Sequence, residues 1–237
     1  MNKLTTIIAS EMIAMLSFAS TANSVEYKVG LTGQSTAYYA NVRETLKDTG
    51  LTTEEEALAA FSYVSGFAEA SLESVYGLTI GLEYSPDMFT MQASRVLDTS
   101  DLAAGGANDA VTGEDSGTQT IKASVEEMIT LYVGLPIMDT GLHVKVGYSQ
   151  ATLLTEENLA TGSTYKDVDL NGMIAGIYYD GDISDRAFYR LEGSYNTFDD
   201  IIATGTSGDV GGTAGSQNKI DAELGGVSAK ISVGVKF

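Results

Sequence analysis

The chain has no cysteine, no tryptophan, two prolines and one histidine in 237 residues. Without cysteine, neither a disulfide framework nor a thiolate metal site can form. Positive charge is also scarce: 13 Lys and Arg stand against 32 Asp and Glu, for a formal charge of -19. Phosphate binding depends on Lys and Arg, so a nucleic-acid partner is not expected, and neither is electrostatic docking on anionic lipid. Past residue 24 no uninterrupted apolar stretch approaches the ~20 residues that a transmembrane helix needs. What the chain does have is 26 Gly and 13 Tyr, which suits Gly-punctuated β-structure better than helices.

Residues 1–24 read as an export signal peptide, to be set aside from the fold. Lys3 supplies a positive start and Met12 to Ala19 an apolar run, with small residues at the cleavage spacing in Ser20-Thr21-Ala22 or Ala22-Asn23-Ser24. The run is too short to span a bilayer. Glu11 departs from the pattern, and a short buried helix is the alternative reading. The mature domain is then 25–237.

Within it, alternation recurs. GLTIGLEYS at 77–85 and GLHVKVGYS at 141–149 share one pattern, Leu78, Ile80, Leu82 and Tyr84 answering Leu142, Val144, Val146 and Tyr148. FYRLEGSYN at 188–196 repeats it with Tyr189, Leu191, Gly193 and Tyr195 on one face. A period of two places these side chains on one side of an extended strand. Strands are predicted at 25–35, 66–76, 78–86, 121–135, 141–151, 166–179, 186–197 and 219–237. Short turns fall near Tyr76-Gly77, at Pro136 to Thr140 and at Asp180 to Asp185, and long polar segments at 36–65, 87–120, 152–165 and 198–218. Short turns at one end and long loops at the other predict an all-β fold, an eight-stranded antiparallel up-and-down transmembrane β-barrel with short periplasmic turns and long outer loops.

The aromatics orient it. Tyr84, Tyr148 and Tyr195 lie at the long-loop end of the apolar face, and Tyr27, Tyr76, Tyr178, Tyr189 and Phe237 at the short-turn end. Two aromatic girdles with aliphatic residues between them mark a lipid-facing surface. A soluble β-sandwich, the alternative, would turn the same face inward and has no need of tyrosine at both ends.

The segment ISVGVKF, with Ile231, Val233, Val235 and Phe237 on one parity, resembles the C-terminal signature of bacterial outer-membrane β-barrels. Taken with the export signal and eight strands, the mature chain resembles the small OmpA-type and opacity-type porin-like barrels, without a periplasmic domain after the barrel. The resemblance implies a Gram-negative outer-membrane location, contact with outer-membrane lipid and lipopolysaccharide, a monomer, and assembly by the barrel-assembly machinery reading that strand.

Lumen parity collects Lys28, Glu69, Glu73, Glu83, His143, Lys145, Asp169, Arg190, Glu192 and Lys230. Eight strands leave an interior about wide enough for side chains, so these charges are expected to form a paired ionic plug, with a catalytic or proton-relay cluster as the competing reading. His143, just after a short turn at the periplasmic end, is expected to hydrogen-bond a neighbouring carboxylate rather than serve as a general base. Apolar lumen residues are few, with Met173 and Ile177 the candidates.

In the outer segments, Asn41 with Glu44 and Thr53 with Glu56 fit capping-box spacing, predicting a short helical cap over the rim. Asp98, Asp101, Asp109, Glu114 and Asp115 make 87–120 acidic, so divalent cations are possible partners there, although an EF-hand spacing is absent; Asp180, Asp182 and Asp185 read as turn formers. The expected function is structural and surface-interacting, through acidic outer loops on a plugged barrel, with passive passage of a small or hydrophobic solute as the alternative. No enzymatic activity, metal site or cofactor is expected.

Overall fold

The computed structural model describes residues 25–45, 52–97, 117–138, 140–158, 165–205 and 219–237. The proposed signal peptide and the acidic residues from Asp98 to Asp115 lie outside them. Among the described residues nine strands follow in order: β1 Val25–Thr45, β2 Thr52–Leu72, β3 Leu78–Leu97, β4 Gly117–Pro136, β5 Leu142–Asn158, β6 Val168–Ser184, β7 Ala187–Phe198, β8 Ile201–Thr204 and β9 Lys219–Lys236. All pairings are antiparallel between neighbours, and β1 pairs with β9, which closes the sheet on itself. The short β8 pairs with the outer end of β9, where β7 has left off. The result is a barrel of eight staves.

The register fixes its shape. Followed rung by rung, Tyr27 pairs with Ala70, then Ile80, Val133, Val146, Ala175, Tyr195, Val227 and finally Ala37, ten residues further along β1. A stagger of that size over eight strands tilts them by about 40° to the barrel axis. Alternation then sorts the side chains. Leu31, Val64, Leu131, Val146, Ile231 and Val233 are exposed on the outside, while Lys28, Glu69, Glu83, Lys145, Arg190 and Glu192 are buried within. An apolar outside around a charged inside is the reverse of a soluble β-sandwich, and it is the arrangement of a barrel solvated by lipid.

Several expected boundaries are corrected. The helical cap is not formed: β1 and β2 run on as one hairpin to the rung Thr45↔Thr52, with Asn41 opposite Glu56 and Arg43 opposite Glu54. Arg43 Nη2 lies 2.7 Å from Glu54 Oε1. An isolated short helix has few hydrogen bonds to set against its nucleation cost, whereas the extended continuation satisfies a backbone group at every rung. The segment 87–120 is likewise mostly strand at its ends, because β3 and β4 stay paired to Leu97↔Gly117 across a bulge at Asp87/Phe89. β5 continues to Asn158, and β6 continues to Ser184 through the expected turn at Asp180.

One seam is different. β2 and β3 pair from Leu72↔Leu78 only as far as Gly66↔Tyr84, although β2 stays paired to β1 and β3 to β4 well beyond that point. Pro86, which has no N–H to give, follows at once in β3 and suits an unpaired edge. Above the last rung the two strands are joined by side chains, Phe61 stacking on Phe89 with ring centroids 4.3 Å apart and Tyr38 lying 5.2 Å from Phe89.

Candidate functional site

Eight charged side chains from seven of the strands meet inside the barrel in two electrically neutral groups. Toward the outer end, Glu83 of β3, Lys145 of β5, Glu192 of β7 and Lys230 of β9 form a ring of alternating sign. Lys145 Nζ lies 3.1 Å from Glu83 and 3.0 Å from Glu192, and Lys230 Nζ lies 2.9 Å and 3.5 Å from the same two carboxylates. Ser65 donates a further bond to Glu83. β7 and β9 are paired neighbours, with Glu192 opposite Lys230, but β3 and β5 are adjacent neither to each other nor to that pair, so the ring crosses the lumen and ties separate walls together.

Nearer the short turns, Arg190 of β7 grips two carboxylates. Its Nη1 and Nη2 donate to Glu69 of β2 at 2.9 and 2.7 Å, and its Nε and Nη2 donate to Asp180 of β6 at 2.6 and 2.8 Å. Lys28 of β1 completes the charge balance at 2.9 Å from Asp180, and Tyr132 donates to Glu69 at 2.7 Å. The guanidinium also lies over the Tyr178 ring, 3.9 Å from its centroid, and Lys145 lies 4.1 Å from that of Tyr132. Buried charges are tolerated when each has a partner and its remaining protons and lone pairs are satisfied, and both groups meet that condition.

Of the residues expected in this network, Lys28, Glu69, Glu83, Lys145, Arg190, Glu192 and Lys230 are brought together and three are not. Glu73 sits exposed in the 3-10 turn Glu73–Val75. Asp169 points outward and is exposed. Among the described residues His143 hydrogen-bonds to no carboxylate; it stacks on Tyr178 with ring centroids 4.5 Å apart, and its Nδ1 lies 3.2 Å from the Gly141 carbonyl. Asp180, read as a turn former, is a central member instead.

The errors in β6 share one cause. Its inward positions are Leu170, Gly172, Ile174, Gly176, Tyr178 and Asp180, while Met173, Ile177 and Tyr179 face out. Both parities are largely apolar, so the strand can be read one residue out of step, and such a slip exchanges every side chain between faces. Tyr178 therefore belongs to the lumen and not to a girdle, and Met173 and Ile177 belong to the outside. Tyr179 takes the outward position beside Tyr189, while Tyr27 stacks on Phe237 at 6.1 Å. Tyr76 is 93 % exposed in a turn. At the other end Tyr84, Tyr148 and Tyr195 face outward, and Tyr39 joins them through a 2.7 Å hydroxyl contact with Tyr195.

Outward of the ring the interior becomes apolar. Tyr38, Tyr63, Met88, Val125, Met128, Ala151, Leu170, Phe198 and Ile201 form a buried cluster that the sequence reading did not foresee, since most of it comes from segments read as loops. Among the described residues no group of three or more His, Asp or Glu side chains is placed to hold a metal ion.

A closed, tilted, eight-stave barrel, apolar outside and ion-paired within, is the fold of the small outer-membrane β-barrels. Among solved structures, OprG of Pseudomonas aeruginosa is similar at a TM-score of 0.55 and 13% identity, over 91% of this chain and 97% of that one. The outer-membrane protease OmpT of Escherichia coli gives 0.44 at 12% identity over 92% and 98%, and Neisserial surface protein A gives 0.36 at 10% over 85% and 96%. The likeness to OprG is one of fold. No protein-family model matches the chain, and no curated protein matches its sequence.

Proposed function

We propose that the protein resides in a bacterial outer membrane, reached through a cleaved signal peptide at 1–24, and that its barrel anchors acidic outer hairpins which meet ions, ligands or other surfaces. The observation that carries this reading is the contrast along β1 and β2: their inner halves wall a lumen shut by neutral ion clusters, while the same ladder continues to Thr45↔Thr52. Glu54, Glu56, Asp221 and Glu223 line a cleft of about 830 Å³ on that extension, with Arg43 bonded to Glu54. An acidic face just outward of the Tyr39 and Tyr195 pair would meet anionic lipopolysaccharide through bridging divalent cations, or meet a partner through cationic groups. The chain acts as a monomer with lipid around it. Ile231, Val233, Val235 and Phe237, all turned outward and exposed, are offered to the assembly machinery. No catalytic role is assigned.

Two measurements test it. In planar bilayers the purified protein is expected to show little steady conductance beside a large water-filled porin; large, stable channels would contradict the plug. Cutting the β1–β2 hairpin back to a tight turn outward of Ala37 and Ala60 is expected to leave insertion intact and abolish surface binding. Binding unchanged by that cut, or by a divalent-ion chelator, overturns the surface role.

A second reading, passive carriage of a small hydrophobic solute, is favoured by the unpaired β2–β3 seam beside the apolar cluster. Linking the two strands by cysteines introduced beside Phe61 and Phe89 would block such passage, and uptake of an apolar probe insensitive to that link would dismiss it.

A further inference from the structure

We infer that the barrel holds a closed internal site for a small cluster of water molecules, in a layer lined by hydroxyl and amide groups between the ionic ring and the apolar cluster. The inference rests on the interior of the barrel and is independent of the surface role.

The inward positions change chemistry in the same order on five strands, moving toward the outer end. β3 runs Glu83, Ser85, Met88; β5 runs Lys145, Ser149, Ala151; β7 runs Glu192, Ser194, Asn196, Phe198; β9 runs Lys230, Ser228, Gly226; and β1 runs Lys28, Thr32, Gln34, Thr36, Tyr38. All of these are buried. The girth of the barrel is set by strand number and stagger, and eight staves continue through this layer, although β2 and β3 share no rung outward of Gly66↔Tyr84. Lysine, glutamate and arginine fill that girth on one side of the layer, and tyrosine, methionine and phenylalanine fill it on the other. Between them stand mainly serine, threonine, asparagine and one glutamine, bordered by Ile174 and Tyr63, and side chains that short leave room at the centre.

Two polar atoms in the layer have no protein partner. Gln34 and Ser194 are each 5 % exposed, and neither Gln34 Oε1 nor Ser194 Oγ finds a hydrogen bond among the described protein atoms. Gln34 Nε2 lies 3.5 Å from Ser65 Oγ and 3.4 Å from Ser85 Oγ. Serine hydroxyls donate or accept, so turning the amide over still leaves one of its ends without a partner. A buried polar group left unmade costs its full desolvation, whereas a water with two to four polar neighbours satisfies it. Such neighbours are at hand: Asn196 Nδ2 donates to Ser228 at 3.2 Å, and Ser228 lies 2.7 Å from Thr36. The ionic ring closes the layer on one side. Tyr38, whose hydroxyl meets that of Tyr63 at 3.0 Å, closes it on the other with Met88 and Met128.

The test uses the full mature chain refolded in detergent micelles. Magnetisation transfer from water is expected to reach the Gln34 side-chain amide and the backbone amides of Ser194 and Ser228, with a residence time long enough to mark internal water. Ser194→Ala is expected to weaken that transfer and to lower the urea midpoint of unfolding, because the water loses a partner. An absence of water contacts in the unsubstituted protein overturns the inference. So does a Ser194→Ala midpoint equal to or above that of the parent, since removing a hydroxyl that truly lacked a partner relieves a penalty. Should the variant fail to fold, the water contacts of the parent decide alone.

Discussion

The ring of Phe61 lies face to face with that of Phe89, 4.3 Å between centroids and 12° from parallel, across a stretch where no backbone rung joins β2 to β3. Side chains there do what a hydrogen-bond ladder does elsewhere in the wall. Phe89→Ala is expected to lower stability by about 2 kcal/mol, less than the 3–5 typical of a fully buried Phe→Ala because both rings are half-exposed. A double-mutant cycle with Phe61→Ala, read by urea unfolding into lipid vesicles, should return a coupling of about 0.5–1.5 kcal/mol. No coupling would mean that the seam is held by something else.

Glu83 accepts from Lys145, Lys230 and Ser65. Glu83→Gln leaves two buried ammonium groups to share Glu192, and one uncompensated charge of this kind costs about 3–5 kcal/mol. Adding Lys230→Met restores neutrality and is expected to recover much of the loss. Unfolding midpoints of the single and double variants check this, and a double variant no better than Glu83→Gln alone would count against the ring as a neutral unit.

A Cβ on Gly81 would lie within the ring of Tyr132, whereas one on Gly193, which faces outward, meets nothing within 4 Å. Gly81→Ala is therefore expected to push the Tyr132 hydroxyl off Glu69 and destabilise the barrel, while Gly193→Ala is tolerated. Comparing the heat-dependent gel mobility of the two variants separates these outcomes, and equal behaviour would contradict the packing.

Phe237 and Tyr27 exchange two backbone bonds, each of 3.0 Å, beneath their stacked rings. Phe237→Ala keeps the bonds and loses the stack; deleting Phe237 loses both. The deletion is expected to leave export intact and to reduce the assembled, heat-modifiable fraction in the outer membrane far more than the alanine variant does. Cell fractionation measures it, and a deletion that assembles normally would remove Phe237 from the assembly signal.

Much of this barrel is legible in the sequence because its physical rule is short: alternate, and let each face meet one solvent. Strands such as Leu142 to Tyr148 and Tyr189 to Tyr195 obey it plainly, and seven charged members of the lumen network follow from parity alone. Reading fails where the two faces resemble each other. β6, with Leu170, Ile174 and Tyr178 on one parity and Met173, Ile177 and Tyr179 on the other, offers no contrast, which misplaced Asp169 and Tyr178 and hid Asp180. It fails again outward of the lipid belt, where both faces of Asn41 to Thr45 and Thr52 to Ala57 are polar or small and capping signals compete with pairing. The apolar cluster was missed because Tyr38, Tyr63, Met88, Phe198 and Ile201 fall in segments read as loops, although the recurring order of charge, hydroxyl and apolar side chain along β3, β5 and β7 was there to be found.

The closure of β1 on β9 also bears on time. Every other pairing in the eight-stave wall joins strands that neighbour one another in the chain, with β7 and β9 separated only by the short β8, whereas the rung Lys28↔Lys236 joins residues 208 positions apart. Loop-closure entropy rises with the logarithm of length, and rates fall as contacts become less local. Hairpins can zip as soon as their turns form, but the last ladder must wait for the whole curved sheet to bring its two edges together. Both edges carry unpaired backbone until that moment, so the slow step in forming this barrel is its own final seam, and a catalyst of assembly acts best there.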